Sequence, residues 1–212
     1  MKATQSTKNL GVILDWSLSY DEHVTKVCQM CYCYIRKLAH IRQYLSHKSA
    51  AIIGAAIVAS RLDYCNSLLA GTSAENIARL QRAQNALARV VLRVPRRAHI
   101  SPFLARLHWL PIKQRIDFKL GLLSWKATHL NQPSYLAELL VPRSATLCRQ
   151  LRCRNKLTVQ RVSTRTGERA FSHAAVRLWN SLPIDITSAT SLQMFKSRLK
   201  TYLYNKAFSS VL

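Results

Sequence analysis

Two groups of side chains in this chain have the types and spacing that chemistry needs: the acidic pair Asp21-Glu22, and the cysteines Cys28, Cys31 and Cys33 with His23 and His40 nearby. Nucleases and polymerases hold two metal ions between converging carboxylates. Here the other acids are scattered singly. Ser19-Tyr20-Asp21-Glu22 reads instead as a capping box, with Ser19 as cap, Glu22 reaching back and the acids in the first turn favouring the helix dipole. Thiolates and imidazoles with this spacing can hold zinc. Cys28 and Cys31, however, fall on the same apolar helical stripe as Val24 and Ile35, where cysteine packs as a small hydrophobe. Cys148 and Cys153 have no second ligand pair beside them. No phosphate-cradling glycine loop is present. The expectation is a chain without catalytic residues, metal or other cofactor.

The bases are a different matter. The 212 residues carry 32 Lys and Arg against 9 Asp and Glu, a formal charge of +23. The hydrophobic fraction is 49%, so this is a folding chain and not a basic disordered tail. An excess of that size seeks a polyanion. Nucleic acid is the leading partner, and an anionic membrane surface is the rival. Arg82, Arg89 and Arg93 share one face of a helix in which no acid occurs between Glu75 and Asp117. The segment 142–167 contains Arg143, Arg149, Arg152, Arg154, Lys156, Arg161 and Arg165 and no acid. These ten residues are the candidate phosphate contacts, because guanidinium forks match phosphate oxygens. No helix-turn-helix, zinc-finger or RNA-recognition signature stands out, so contacts should go to the backbone and not to base edges. Trp109, Trp125 and Trp179 could stack on bases, but core or hinge packing is the favoured reading.

The elements that position these residues are mostly helical. Asn9 to Leu14 is a short apolar, β-branched run and reads as a strand. A helix follows Ser19, with Val24, Val27, Cys28, Cys31, Ile35, Leu38, Ile41 and Leu45 at three-to-four spacing. A second helix starts near Ser46 and stops before Gly71. A third is opened by Ser73, has Ile77, Leu80, Gln84, Leu87 and Val91 on one stripe, and is stopped by Pro95. After a short element at Ser101 to Leu107, Pro111 opens a fourth helix with Ile112, Ile116, Leu120, Leu123, Ala127 and Leu130 on its buried side. Leu157 to Thr164 alternates and predicts a strand or hairpin. Two terminal helices follow, over Glu168 to Asn180 and from Ser191, the latter facing inward with Leu192, Phe195, Leu199, Tyr202 and Leu203. The uncharged stretch Ser49 to Ser60 is too short to span a bilayer. Met1 to Leu10 has no apolar core of a secretory signal. The expected compartment is intracellular, cytoplasmic or nuclear, with the cysteines reduced.

Several of these segments occur together in a telling order: Ser60-Arg61-Leu62-Asp63-Tyr64-Cys65-Asn66, Leu80-Gln81-Arg82-Ala83-Gln84-Asn85-Ala86, Leu107-His108-Trp109-Leu110-Pro111, Pro133-Ser134-Tyr135-Leu136, Arg169-Ala170-Phe171-Ser172, Leu178-Trp179-Asn180-Ser181-Leu182-Pro183 and Phe195-Lys196-Ser197-Arg198-Leu199-Lys200. In this order they resemble the C-terminal part of the reverse transcriptase polyprotein of Jockey-like LINE (non-LTR) retrotransposons, over about residues 6 to 208. Lys8-Asn9-Leu10-Gly11-Val12 is similar to the last strand region of the polymerase palm, beside the thumb. The resemblance implies a thumb and the region after it, which in such enzymes helps hold template RNA and primer DNA. It places the catalytic aspartates and the endonuclease upstream of this opening strand, so no active-site residue is carried over.

The expected fold class is mainly α: a thumb-like helical bundle followed by a second small helical part, with a short N-terminal strand and a hairpin near 157–164. The segments are 1–18, a remnant of the palm edge; 19–94, the thumb-like bundle; 95–141, a helical extension; 142–167, a basic connector; and 168–212, a C-terminal helical segment. The expected function is that of a non-catalytic reverse transcriptase fragment binding RNA or DNA backbone without sequence preference. Its partners would be nucleic acid and the missing palm domain, with no membrane and no small-molecule substrate. The alternative is an inert or protein-interaction relic of a mobile element.

Overall fold

The computed structural model describes residues 6–143 and 156–209. The chain is mainly helical, with a two-stranded antiparallel sheet near its start. It divides into two compact units, Met1–Arg115 with Tyr204–Leu212, and Ile116–Leu203. No described helix is long and apolar enough to cross a membrane.

The first unit opens with β1 (Ser6–Asn9) and β2 (Val12–Asp15), paired in the register Ser6 with Asp15 through Asn9 with Val12. The sequence predicts a single strand here, but Leu10 and Gly11 both adopt positive φ, 45° and 83°. Two successive left-handed residues make the tight turn whose twist suits a hairpin. The strand therefore folds back on its own chain.

Helix α1 (Asp21–Ile41) follows. Its cap differs from the expected capping box. Tyr20 takes the cap position in a left-handed conformation, and no side chain caps from there. The acceptor is Asp15, whose carboxylate receives the backbone N–H groups of Ser19 (2.7 Å) and Tyr20 (2.8 Å) and the hydroxyls of Ser17 and Ser19. These donors precede the helix; the first-turn N–H of Asp21 goes to the Ser19 hydroxyl (3.2 Å), the part of the expected box that forms, and the Asp15 carboxylate holds that turn with its charge near the positive helix end. Burial pushes the Asp15 carboxyl up, but these hydrogen bonds outweigh it and hold the carboxyl below its ordinary value.

Val24, Val27, Cys28, Cys31, Ile35 and Leu38 are buried on α1. The helix stops at Ile41, short of Leu45, because Arg42–Tyr44 tightens into a 3-10 turn. The next helical run is α2 (His47–Gly54), a π stretch over Ala55–Ala59 and α3 (Ser60–Asp63). Ser46, near which the sequence places this helix start, caps it by accepting from Ser49 N–H. Helix α4 (Ala74–Leu92) is capped by Ser73, and buries Leu80, Ala83, Gln84, Leu87, Ala88 and Val91. Its end is set by Arg93, left-handed at φ 54°, two residues before Pro95. Helix α5 (Ser101–Arg106) packs Leu104 and Ala105 with Ala88 and Phe208, beside half-buried Trp109.

Helices α1 and α4 run parallel. Near their N-termini, Asn76 of α4 donates to Asp21 of α1 (2.7 Å) and to Ser19 C=O. At their C-termini, Arg42 donates to the carbonyls of Val90 and Val91. Gln81 and Gln84 of α4 fasten the Leu107 to Pro111 turn: Gln84 donates to Leu110 C=O (2.8 Å) and Gln81 accepts from Ile112 N–H (2.9 Å). Asp63 and Arg115 form an ion pair at 2.6 Å.

The second unit contains most of α6 (Ile112–Leu130), α7 (Ser134–Ala137), α8 (Arg165–Arg169), α9 (Phe171–Ser181), α10 (Ile184–Thr187) and the greater part of α11 (Leu192–Phe208). Trp125, Trp179 and Phe195 are buried with ring centroids 6.0 Å apart along the chain of contacts, and Trp125 Nε1 donates to Ala189 C=O. Both tryptophans are core residues, as their favoured reading has it. Gly121 lies under Leu199, where an added Cβ would come within 2.7 Å of Leu199 Cδ2. Leu130 differs from its predicted place on the buried stripe: it is 46% exposed at the end of α6. The expected hairpin near 157–164 reduces to one antiparallel bridge between Pro142 and Leu157, with no regular element over 158–163. Asn180 takes the part a second strand would play, accepting from Leu157 N–H (2.9 Å) and donating to Leu157 C=O (2.8 Å).

Candidate nucleic-acid interface

Seven of the nine acids stand at a helix start, a cap or an ion pair. Asp21 and Glu22 of α1, Glu75 of α4, Glu168 of α8 and Asp185 of α10 stand in first turns, where they oppose the positive helix end. Asp15 caps α1 and Asp63 pairs with Arg115. These acids are spread over separate helix starts, and among the described residues no group of three His, Cys, Asp or Glu is placed to hold a metal ion. Cys28 and Cys31 are buried. Burial pushes both thiols up, Cys31 to about 12, with the neighbouring Cys28 adding to it. His23 is buried too and accepts from Ile13 N–H, and burial holds its imidazole below the ordinary value.

The predicted arginine face of α4 does not stay together as one row. Arg82 is exposed beside a groove of about 260 Å³ lined by Thr25, Cys28, Gln29, Tyr32 and Arg79. Arg79 is tied to Thr25 Oγ1 at 2.6 Å. Arg89 is half-buried; its Nη2 donates to Ala98 C=O and its Nε is buried without a hydrogen-bond partner. Arg93 has left the helical path and donates to Arg42 C=O at 3.0 Å. Within the basic connector, Arg143 N–H donates to Lys156 C=O (3.0 Å), which brings these two exposed residues side by side. Arg161 lies in an extended stretch and Arg165 opens α8, both exposed. Arg149, Arg152 and Arg154 lie outside the described residues.

Two sites escaped the sequence reading. The first is a cleft of about 780 Å³ between the hairpin, α1 and α3, where Lys8, Lys26, Arg61 and Tyr64 meet Met30 and Ile13. Arg61 is occupied there, stacked over the Tyr34 ring at 4.7 Å and donating to the Tyr34 hydroxyl. The second is the corner at the C-terminal ends of α1 and α4. Arg42, only 5% exposed, is held by carbonyls: Nε to Val91 (3.0 Å), Nη2 to Val91 (2.7 Å) and Nη1 to Leu45 (2.6 Å), while Nη2 also donates to His47 Nδ1 (2.9 Å). Burial pulls the guanidinium below its ordinary value, and the neighbouring Arg93 charge adds to this. Exposed Tyr44 and Lys48 follow Arg42 in the chain, and exposed Arg96 and Arg97 follow Arg93, which donates to Arg42 C=O. The signal in the sequence was Pro95-Arg96-Arg97, immediately past the helix stop, but helical periodicity looks along the helix and passes over the turn that follows it.

Comparison of the chain with protein-family models, curated proteins and solved structures finds no match.

Proposed function

We propose that this chain is a non-catalytic part of a reverse transcriptase of the Jockey-like LINE kind, and that it grips RNA or DNA by the phosphate backbone without reading sequence. One observation carries the reading: exposed bases far outnumber the acids, several of which the fold itself engages. Asp15, Asp21 and Asp63 have named structural partners, whereas Arg82, Arg96, Arg97, Arg143, Lys156, Arg161 and Arg165 are exposed. Self-repulsion across such a surface is relieved by a polyanion. The ordered motifs supply the parentage. Within the first unit, Gln81 and Gln84 of one motif hold the backbone at the Leu107 to Pro111 turn of another.

Fluorescence anisotropy with labelled single-stranded RNA and DNA at several salt concentrations tests the reading. If about five phosphates are neutralised, the log-log salt slope is roughly −3.5. Oligonucleotides of unrelated sequence should bind alike. No binding at low salt, or a slope near zero, would sink the proposal.

A second reading rests on the hairpin. Leu10 and Trp16 are 84% and 85% exposed at its turn and just past its end. A large apolar side chain left in water at each end of the hairpin suits a protein partner. Sedimentation that shows self-association abolished by Leu10→Ser with Trp16→Ser, with no nucleic-acid binding by the parent chain, would favour this reading over the first.

A further inference from the structure

The C-terminal ends of α1 and α4 lie together, and Arg42 is buried between them. Each helix end carries about half a negative charge, so the pair offers about one. The Arg42 guanidinium supplies one positive charge and spends its donors on the carbonyls there. The compensation ends at that point. Arg93 lies against Arg42 and depresses it further, which marks a local excess of positive charge. Arg96 and Arg97 follow within about 14 Å of chain, on a turn closed by Ala98 N–H to Pro95 C=O and underpinned by Arg89 to Ala98 C=O. Lys48 lies in the first turn of α2, whose opening His47 has Nδ1 3.3 Å from Val91 C=O. Among the described residues, Lys48, Arg96 and Arg97 have no side-chain hydrogen bond or ion pair. No acid stands in the sequence from 23 to 62 or from 76 to 116. The corner has more cations than its own structure can use.

It also has an aromatic ring that the fold does not use. Tyr44, two residues past Arg42, is 81% exposed. A tyrosine in water two residues past Arg42, whose C=O Arg93 holds, with Arg96 and Arg97 a few residues further along the chain from Arg93, offers the combination by which single-stranded nucleic acids are bound: cations take phosphates and the ring takes an unstacked base. A duplex offers no free base face along its length. Two other basic groups of the first unit are engaged, Arg79 with Thr25 and Arg61 with Tyr34.

We propose that the corner formed by Tyr44, Lys48, Arg93, Arg96 and Arg97 is a single-strand binding site, with phosphates on the three arginines and Lys48 and one base stacked on Tyr44. Arg42 and Arg89 are positioning residues beneath it. This deepens the function proposed above and rests on it.

The full chain is titrated with a labelled single-stranded oligonucleotide and with the matching duplex, as parent, Arg96→Gln/Arg97→Gln, Tyr44→Ala and Tyr44→Phe. All three positions are exposed, and unchanged urea midpoints confirm intact folding. The double arginine change should make the single-strand salt slope shallower by about 1.4. Tyr44→Ala should weaken single-strand binding roughly 5- to 100-fold, leave duplex binding unchanged and be rescued by Tyr44→Phe. If the parent binds neither probe, the function proposed above fails. If the parent binds and these variants bind equally well, or if Tyr44→Ala weakens duplex as much as single strand, the site assignment is wrong while that function stands.

Discussion

The two ends of the parallel α1–α4 pair are built from opposite charges and use them differently. At the N-terminal end, Asp15 accepts backbone N–H groups, Asp21 accepts from Asn76, and Glu22 and Glu75 stand in first turns. At the C-terminal end, Arg42 is buried against three carbonyls and Arg93 donates to a fourth. Both ends satisfy groups that a helix leaves orphaned. The acidic end is built from exposed or half-buried carboxylates, one of which, Asp21, takes a hydrogen bond from the other helix. The basic end sinks one long side chain between two helices, so removing it opens a hole as well as leaving acceptors unpaired. Charge on the first side is nearly consumed by the fold, and on the second it is in surplus.

The largest test of that contrast is Arg42→Met. It leaves the Val91 and Leu45 carbonyls without their donor, and the loss should be about 3 kcal/mol, read from urea midpoints. Asp15→Ala strikes the other end and should cost about 1 to 2 kcal/mol. Equal losses from the two changes would break the asymmetry.

Acid should separate the ends as well. His23 has a lowered value in the fold, so its contribution is complete above its ordinary 6.5 and is lost as pH falls below it. Asp15 is lowered too, so its contribution is present above its ordinary 3.8 and lost as pH falls further. Arg42 keeps its charge throughout this range. Amide protection factors, corrected for the intrinsic pH dependence of exchange and measured from pH 7.5 down to 3, should fall in the first turn of α1 before they do in the last turn of α4. The reverse order would contradict the assignment of charges. The smallest effect is expected of Ser73→Ala, about 1 kcal/mol from one lost cap on α4.

Outside this helix pair, Gly121→Ala should destabilise the second unit by about 1 to 3 kcal/mol, because Leu199 must move to admit the methyl group. Its effect should add to that of Arg42→Met, since the two positions share no partner.

Much of the helical order was legible because periodicity is a local signal. The caps at Ser46 and Ser73 are hydroxyls placed where a hydroxyl must be, and both stand where the sequence puts them. Asp15 was missed because its donors are reached through a bend in the chain, with left-handed Leu18 and Tyr20 carrying the backbone back over the carboxylate. The hairpin was read as one strand because Leu10 sits at a positive φ that a leucine seldom adopts. Among the candidate phosphate contacts, the arginine row on α4 assumes that the helix continues through Arg93, and Arg93 is where it ends.

Composition alone fixed the excess of bases over acids, the capacity for a core and the mainly helical class, since these depend on residue counts and on spacing along one helix. Tertiary structure decided which charges the fold consumes. A carboxylate at a helix start looks the same in sequence as one that is free, and Arg42 looks the same as Arg96. Burial against two carbonyl-rich helix ends turns the first arginine into a structural clamp, and the turn after Arg93 carries the second into solvent. That difference exists only once α1 and α4 lie side by side.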